Sequence, residues 1–209
     1  FGGHNFWVLR DGNGRILSEI HGLAYDRDTR QTAPIGYNSN TFSLRVFELP
    51  IEANYATSIG ITPTKYYSDS GQDTRVVLSS SKEVVMARWE AAEKAIPYLN
   101  SLDLDYPVFG VFDTTIINSN SAFRTLGEIM KVPIIDFQDV VEPGLDNRMI
   151  SPEMIKTFQH LNDIYDLNEG EFYTALIMAS IDGTSTIKAT DGFLTASIDE
   201  SGKIGRAHV

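Results

Sequence analysis

Apolar and polar residues alternate near the N-terminus, and the alternation predicts a hairpin. His4 to Arg10 reads as a strand, Asp11-Gly12-Asn13-Gly14 as a turn and Arg15 to Leu23 as a second strand. Gly and Asn tolerate the positive φ that tight hairpin turns require. Thr41 to Leu49 forms a further strand ending at Pro50, after a polar loop from Tyr25 to Asn40. A helix begins near Ser80. Ser80 and Glu83 have capping-box spacing, and Val85, Trp89, Ala92, Ile96 and Leu99 fall on one helical stripe. Pro97 bends or ends this helix, because it lacks a backbone donor and its ring crowds the preceding turn.

Pro107 to Phe112 reads as a short buried strand. Asn118-Ser119-Asn120-Ser121 then leads into a helix from Ala122 to Lys131, with Phe123, Leu126, Ile129 and Met130 on its apolar face. Pro133 to Phe137 is another candidate strand, Glu142-Pro143-Gly144 a turn, and Ser151-Pro152-Glu153 the start of a third helix with Pro at its first position. Beyond Glu171 come short segments, Phe172 to Ile181, Ser185 to Ala189 and Phe193 to Ile198, separated by Asp182-Gly183 and Asp191-Gly192. They predict a β-meander, whose first segment is alternatively helical. The expected fold is α+β: an antiparallel sheet or partial barrel flanked by helices over residues 1–169, with a β-rich C-terminal appendage over 170–209.

Composition narrows the function classes. The 209 residues, 42% hydrophobic, suffice for one domain with a real core. A formal net charge of -11 opposes a phosphate backbone, so nucleic acid is not an expected partner. An acidic solvated surface also favours a soluble monomer. With no cysteine, the chain has no disulfide, zinc ribbon or thiol nucleophile, a usage that suits an exported protein. No apolar run is long enough to span a bilayer. The chain begins at Phe1 rather than at a methionine and reads as an excised or processed fragment. Nucleotide-binding glycine motifs and the serine-hydrolase elbow G-x-S-x-G are absent from the sequence.

Two constellations could carry chemistry. If Asp11 pairs with Gly14, the ladder brings His4 directly opposite His21, with Cβ atoms roughly 5 Å apart. Phe6 and Glu19 share that face, because strand side chains repeat every second residue. The pair reads as a base (His4) oriented by His21 and Glu19, as ordinary sheet histidines, or as part of a metal site. His160 and His208 are isolated, so the sequence calls for no metal or cofactor. In Asn118-Ser119-Asn120-Ser121 every residue favours helix caps. The alternative is a nucleophile at a helix N-terminus, where backbone donors stabilise developing negative charge, and a serine there still needs a base.

Gly3-His4-Asn5-Phe6, then His21, then Asn118-Ser119-Asn120-Ser121-Ala122-Phe123 stand in a familiar order. In these two short stretches the chain resembles the circularly permuted papain-fold families, the NlpC/P60-like and lecithin:retinol acyltransferase-like group. The resemblance implies hydrolysis or acyl transfer at amide or ester bonds, on a peptide, peptidoglycan or lipid substrate. Ser119 would be the nucleophile, His4 the base and His21 its orienting partner, with Asn118, Asn120, Trp7 and Glu19 as candidate substrate-binding residues. The nucleophile of these families is normally cysteine. Ser119 therefore stands as a true serine nucleophile, as the mark of an inactive binding descendant, or as an engineered replacement. The rival expectation is a non-catalytic binding or adhesion module of a larger bacterial surface or delivered protein.

Overall fold

The computed structural model describes residues 3–33, 41–50, 73–107, 115–137, 141–160, 185–190 and 193–195. Strands β1 (Trp7–Asp11) and β2 (Ile16–Asp26) form the N-terminal hairpin. Its turn is as expected: the Gly14 N–H donates to Asp11 O at 2.9 Å, and Gly14 takes the positive φ of 78° that glycine accepts without strain. Asp11 Oδ1 accepts from the N–H groups of Asn13 and Arg15, which locks the tip.

The register differs from the simple expectation, and the reason is two bulges. The loop closes Asp11 on Arg15 rather than on Gly14, leaving Gly14 as an extra residue. The ladder shifts again between Leu9 and Arg10, so that Val8 pairs with Glu19 and Trp7 with Ile20. Continued by one pair, this register sets Phe6 opposite His21 and moves His4 to the diagonal position. One slip would have turned every side chain to the other face, whereas two successive slips restore the original face. Thus His4, Phe6, Glu19 and His21 still share a face, although His4 is not directly opposite His21.

On its far edge β2 pairs along its length with β4 (Phe42–Pro50), and near its end it takes the short β3 (Thr32–Ala33). After β5 (Thr74–Leu78) come helix α1 (Lys82–Ser101) and helix α2 (Ser119–Ile129), and residues 152–160 are also helical. Strands β6 (Ser185–Thr190) and β7 (Phe193–Thr195) complete a sheet of order β3-β2-β1-β6-β5-β7 with β4 on β2. All pairings are antiparallel except β5 with β7. The α+β class is as expected.

Several local expectations shift. The α1 cap is Ser81, one residue later than expected, its hydroxyl accepting from the Val84 N–H. Pro97 lies inside α1, which continues to Ser101. Burial of Trp89, Ala92, Ala95 and Leu99 on either side of it offsets an interior-proline cost of about 3 kcal/mol. Helix α2 starts three residues before Ala122, because Asn118 caps it and Ser121 closes the reciprocal capping bond. Pro133 to Phe137 is not a strand; its Phe137 N–H is taken by the Glu142 carboxylate instead of a ladder partner. Residues 108–112 of the expected Pro107–Phe112 strand, and the expected boundary near Gly170, lie outside the described residues.

Close packing of α2 on the hairpin sets the position of everything that follows. Trp7 stacks on Phe123 with ring centroids 4.3 Å apart and donates its indole N–H to Phe123 O at 2.9 Å. Gly22 is where the helix N-terminus meets β2. A Cβ there would lie 2.5 Å from Ala122 Cβ and 3.2 Å from Ser119 Cα, so only glycine permits this approach.

Candidate active site

On the hairpin, three polar side chains form a chain of hydrogen bonds. His4 Nε2 lies 3.2 Å from His21 Nδ1, and His21 Nε2 lies 2.8 Å from Glu19 Oε2. His21 and Glu19 are completely buried, whereas His4 is only partly so. Phe6 packs against both rings, 3.8 Å from His21 and 5.6 Å from His4 by centroids. Loss of hydration pushes His4 down to about 4. His21 is pushed well below the ordinary histidine value, by burial first and by the neighbouring His4 second. Both rings are therefore neutral at neutral pH.

Neutral rings fix the tautomers through the hydrogen-bond pattern. With Glu19 ionised, His21 donates from Nε2 and its Nδ1 carries a lone pair. That lone pair accepts the Nε2 proton of His4, which leaves the His4 acceptor lone pair on Nδ1. The guanidinium of Arg10 interacts electrostatically with Glu19. A neutral imidazole offers a lone pair to an incoming proton, and a pKa of about 4 makes His4 a weaker base than an ordinary histidine.

The Asn120 side chain ties the N-terminus of helix α2 to the segment that leads into this hairpin. The Asn120 amide accepts from the Asn5 N–H at 3.0 Å and donates to Gly3 O at 3.0 Å, bracketing His4 from both sides. Ser119 is therefore the immediate neighbour of the residue that holds the His4 backbone. The Ser119 hydroxyl is itself buried, and Tyr106 donates its phenolic O–H to Ser119 Oγ at 3.4 Å. Burial raises the Tyr106 pKa, and its hydrogen bonding with Ser119 partly offsets that rise. Consecutive residues on β2 point to opposite faces: Gly22 meets α2, and His21 faces away from it.

The structure thus joins His4 to His21 and Glu19, and joins Ser119 to Tyr106. The four expected substrate-binding side chains are spent internally. Trp7 and Glu19 are fully buried in the bonds described. Asn118 caps α2 and donates to Pro143 O at 2.9 Å, while Asn120 holds Gly3, Asn5 and Pro143. Sequence reading missed Tyr106, which has no periodic or motif neighbour; a bond from its N–H to Phe42 O brings it to the end of β4. Glu142 reads in the sequence only as part of a turn, and its neighbour Asp136 lies six residues earlier. Among the described residues no group of three or more His, Asp or Glu side chains converges as a metal site, and no helix is long and apolar enough to cross a membrane. The chain matches no known family, no curated protein and no solved structure.

Proposed function

We propose that the chain is a papain-like hydrolase or acyltransferase acting on amide or ester bonds, with Ser119 as nucleophile and His4 as base. The observation that carries this reading is the Asn120 amide, which bonds the backbone on both sides of His4 and so couples the base to the residue next to Ser119. In the proposed reaction the Ser119 hydroxyl gives up its bond to Tyr106 and attacks the substrate carbonyl carbon. Its proton passes to His4 Nδ1 and then to the leaving amine or alcohol. Water resolves the acyl-serine in the second half of the cycle, or another acyl acceptor takes its place. His21 and Glu19 orient the imidazole, and the positive end of the α2 dipole favours the developing oxyanion. Peptide, peptidoglycan and lipid carbonyls all satisfy this chemistry.

A second reading rests on the burial of Ser119 and its bond to Tyr106: a non-catalytic binding module that retains the site as structure. A fluorophosphonate probe, which phosphonylates activated serines, separates the two. Labelling of Ser119 that His4→Gln slows about 100-fold, within the usual range for a general base, supports the enzyme. Absence of labelling at Ser119 supports the binding module.

A further inference from the structure

The segment 141–144 grips both halves of the candidate site. On the histidine side, the Gly3 N–H donates to Val141 O at 2.8 Å and Asn5 Nδ2 donates to Glu142 Oε1 at 2.6 Å. On the helix side, Asn118 and Asn120 donate to Pro143 O, and the Ser121 hydroxyl donates to Gly144 O at 2.7 Å. Glu142 is the charged member of this set. Its second oxygen accepts the Phe137 N–H at 3.2 Å, so both ends of the carboxylate are engaged by N–H donors. Asn5 is completely buried, and its Oδ1 has no hydrogen-bond partner. Its bond to Glu142 is therefore what fixes the Asn5 side chain, and its backbone N–H is one of the two bonds that bracket His4.

Building on the hydrolase reading, we propose that Glu142 is a positioning residue whose ionised carboxylate, acting through Asn5, holds His4 against the N-terminus of α2. An ionised acceptor makes a hydrogen bond about twice as strong as a neutral one, so the grip depends on the charge. Burial pushes the Glu142 carboxyl up to about 7, with the Asn5 and Phe137 donors pulling it down and neighbouring Asp136 raising it further. Apart from Asp136, the side chains bonded to the segment 141–144 carry no charge in this range. Asn118, Asn120 and Ser121 come from α2, Asn5 from the hairpin, and His4 stays neutral because its own pKa lies at about 4. The carboxylate thus gains and loses its charge near neutrality, while His4 does not.

The test reads His4 directly and requires no substrate. Ring 15N shifts of His4 are followed against pH in histidine-labelled protein, for the wild type and for Glu142→Gln, which keeps the shape but cannot ionise. The expected result is a second inflection in the wild-type His4 shifts near pH 7, apart from the ring's own titration at about 4, and its loss in Glu142→Gln. Wild-type His4 shifts that stay flat through neutrality would overturn the proposal, and so would a neutral-range inflection that survives Glu142→Gln. Because the readout does not involve Ser119, a failure of serine labelling leaves this result to be judged by itself.

Discussion

Neutral histidines buried beside a carboxylate make the molecule's stability depend on pH in a defined direction. His4 has a folded-state pKa of about 4 against an ordinary 6.5. Its contribution is complete above pH 6.5 and is lost as pH falls toward 4, and His21 acts in the same sense. Glu93 and Glu142, raised from 4.5 to about 7, act in the opposite sense: their contribution is complete below 4.5 and is lost as pH rises through 7. Urea unfolding at a series of pH values separates the two. Between pH 4.5 and 6.5, stability of His4→Gln should rise less steeply with pH than that of the wild type, and Glu142→Gln more steeply. Equal slopes in all three proteins would show that these groups do not titrate as their surroundings imply. The sequence disclosed the two histidines and Glu19 as neighbours, because period-two alternation survives any even register shift. It could not disclose Tyr106 or Glu142, whose roles depend on loops folding back over long sequence separations.

At the scale of elements, helix α2 shows why the cap motif was legible and its partners were not. Asn118 and Ser121 have the residue types and spacing of a reciprocal cap, and the structure contains both bonds. Nothing local indicates that Asn118 also donates to Pro143 O or that Gly22 leaves room for Ser119. Asn118→Ala should therefore cost more than an ordinary cap, at or above the upper end of the usual range of about 0.5–2 kcal/mol. Denaturant unfolding checks this, and a loss of only a few tenths of a kcal/mol would mean that the loop bond adds nothing. The hairpin is instructive in the same way. Its turn residues identified the tip, but the bulge between Leu9 and Arg10 has no glycine or proline to announce it. The register was thus open in the sequence although the shared face was not.

At the scale of the whole molecule, β6 lies between β1 and β5, pairing Val8 with Lys188 and Arg75 with Ala189. Removing residues 170–209 would take away that strand and leave the edge of β1 unpaired, beside the histidines of the site. A chain truncated after Glu169 is expected to melt at a lower temperature than the full chain and with reduced cooperativity. Identical melts would show that the first 169 residues hold their fold without it. The central claim, that Ser119 answers to His4, has a more direct test because the chain contains no cysteine. Ser119→Cys would place a thiol at the N-terminus of α2, and a thiolate supported by a helix terminus and an imidazole has its pKa lowered from about 8.5 to roughly 3.5–7.5. The measurement is the rate of iodoacetamide alkylation of Ser119→Cys at mildly acidic pH, with and without His4→Ala, with Ser121→Cys as a thiol in the same helical turn. Fast alkylation of Ser119→Cys, marked slowing by His4→Ala and slow reaction of Ser121→Cys are expected. An unchanged rate when His4 is removed would contradict the central claim.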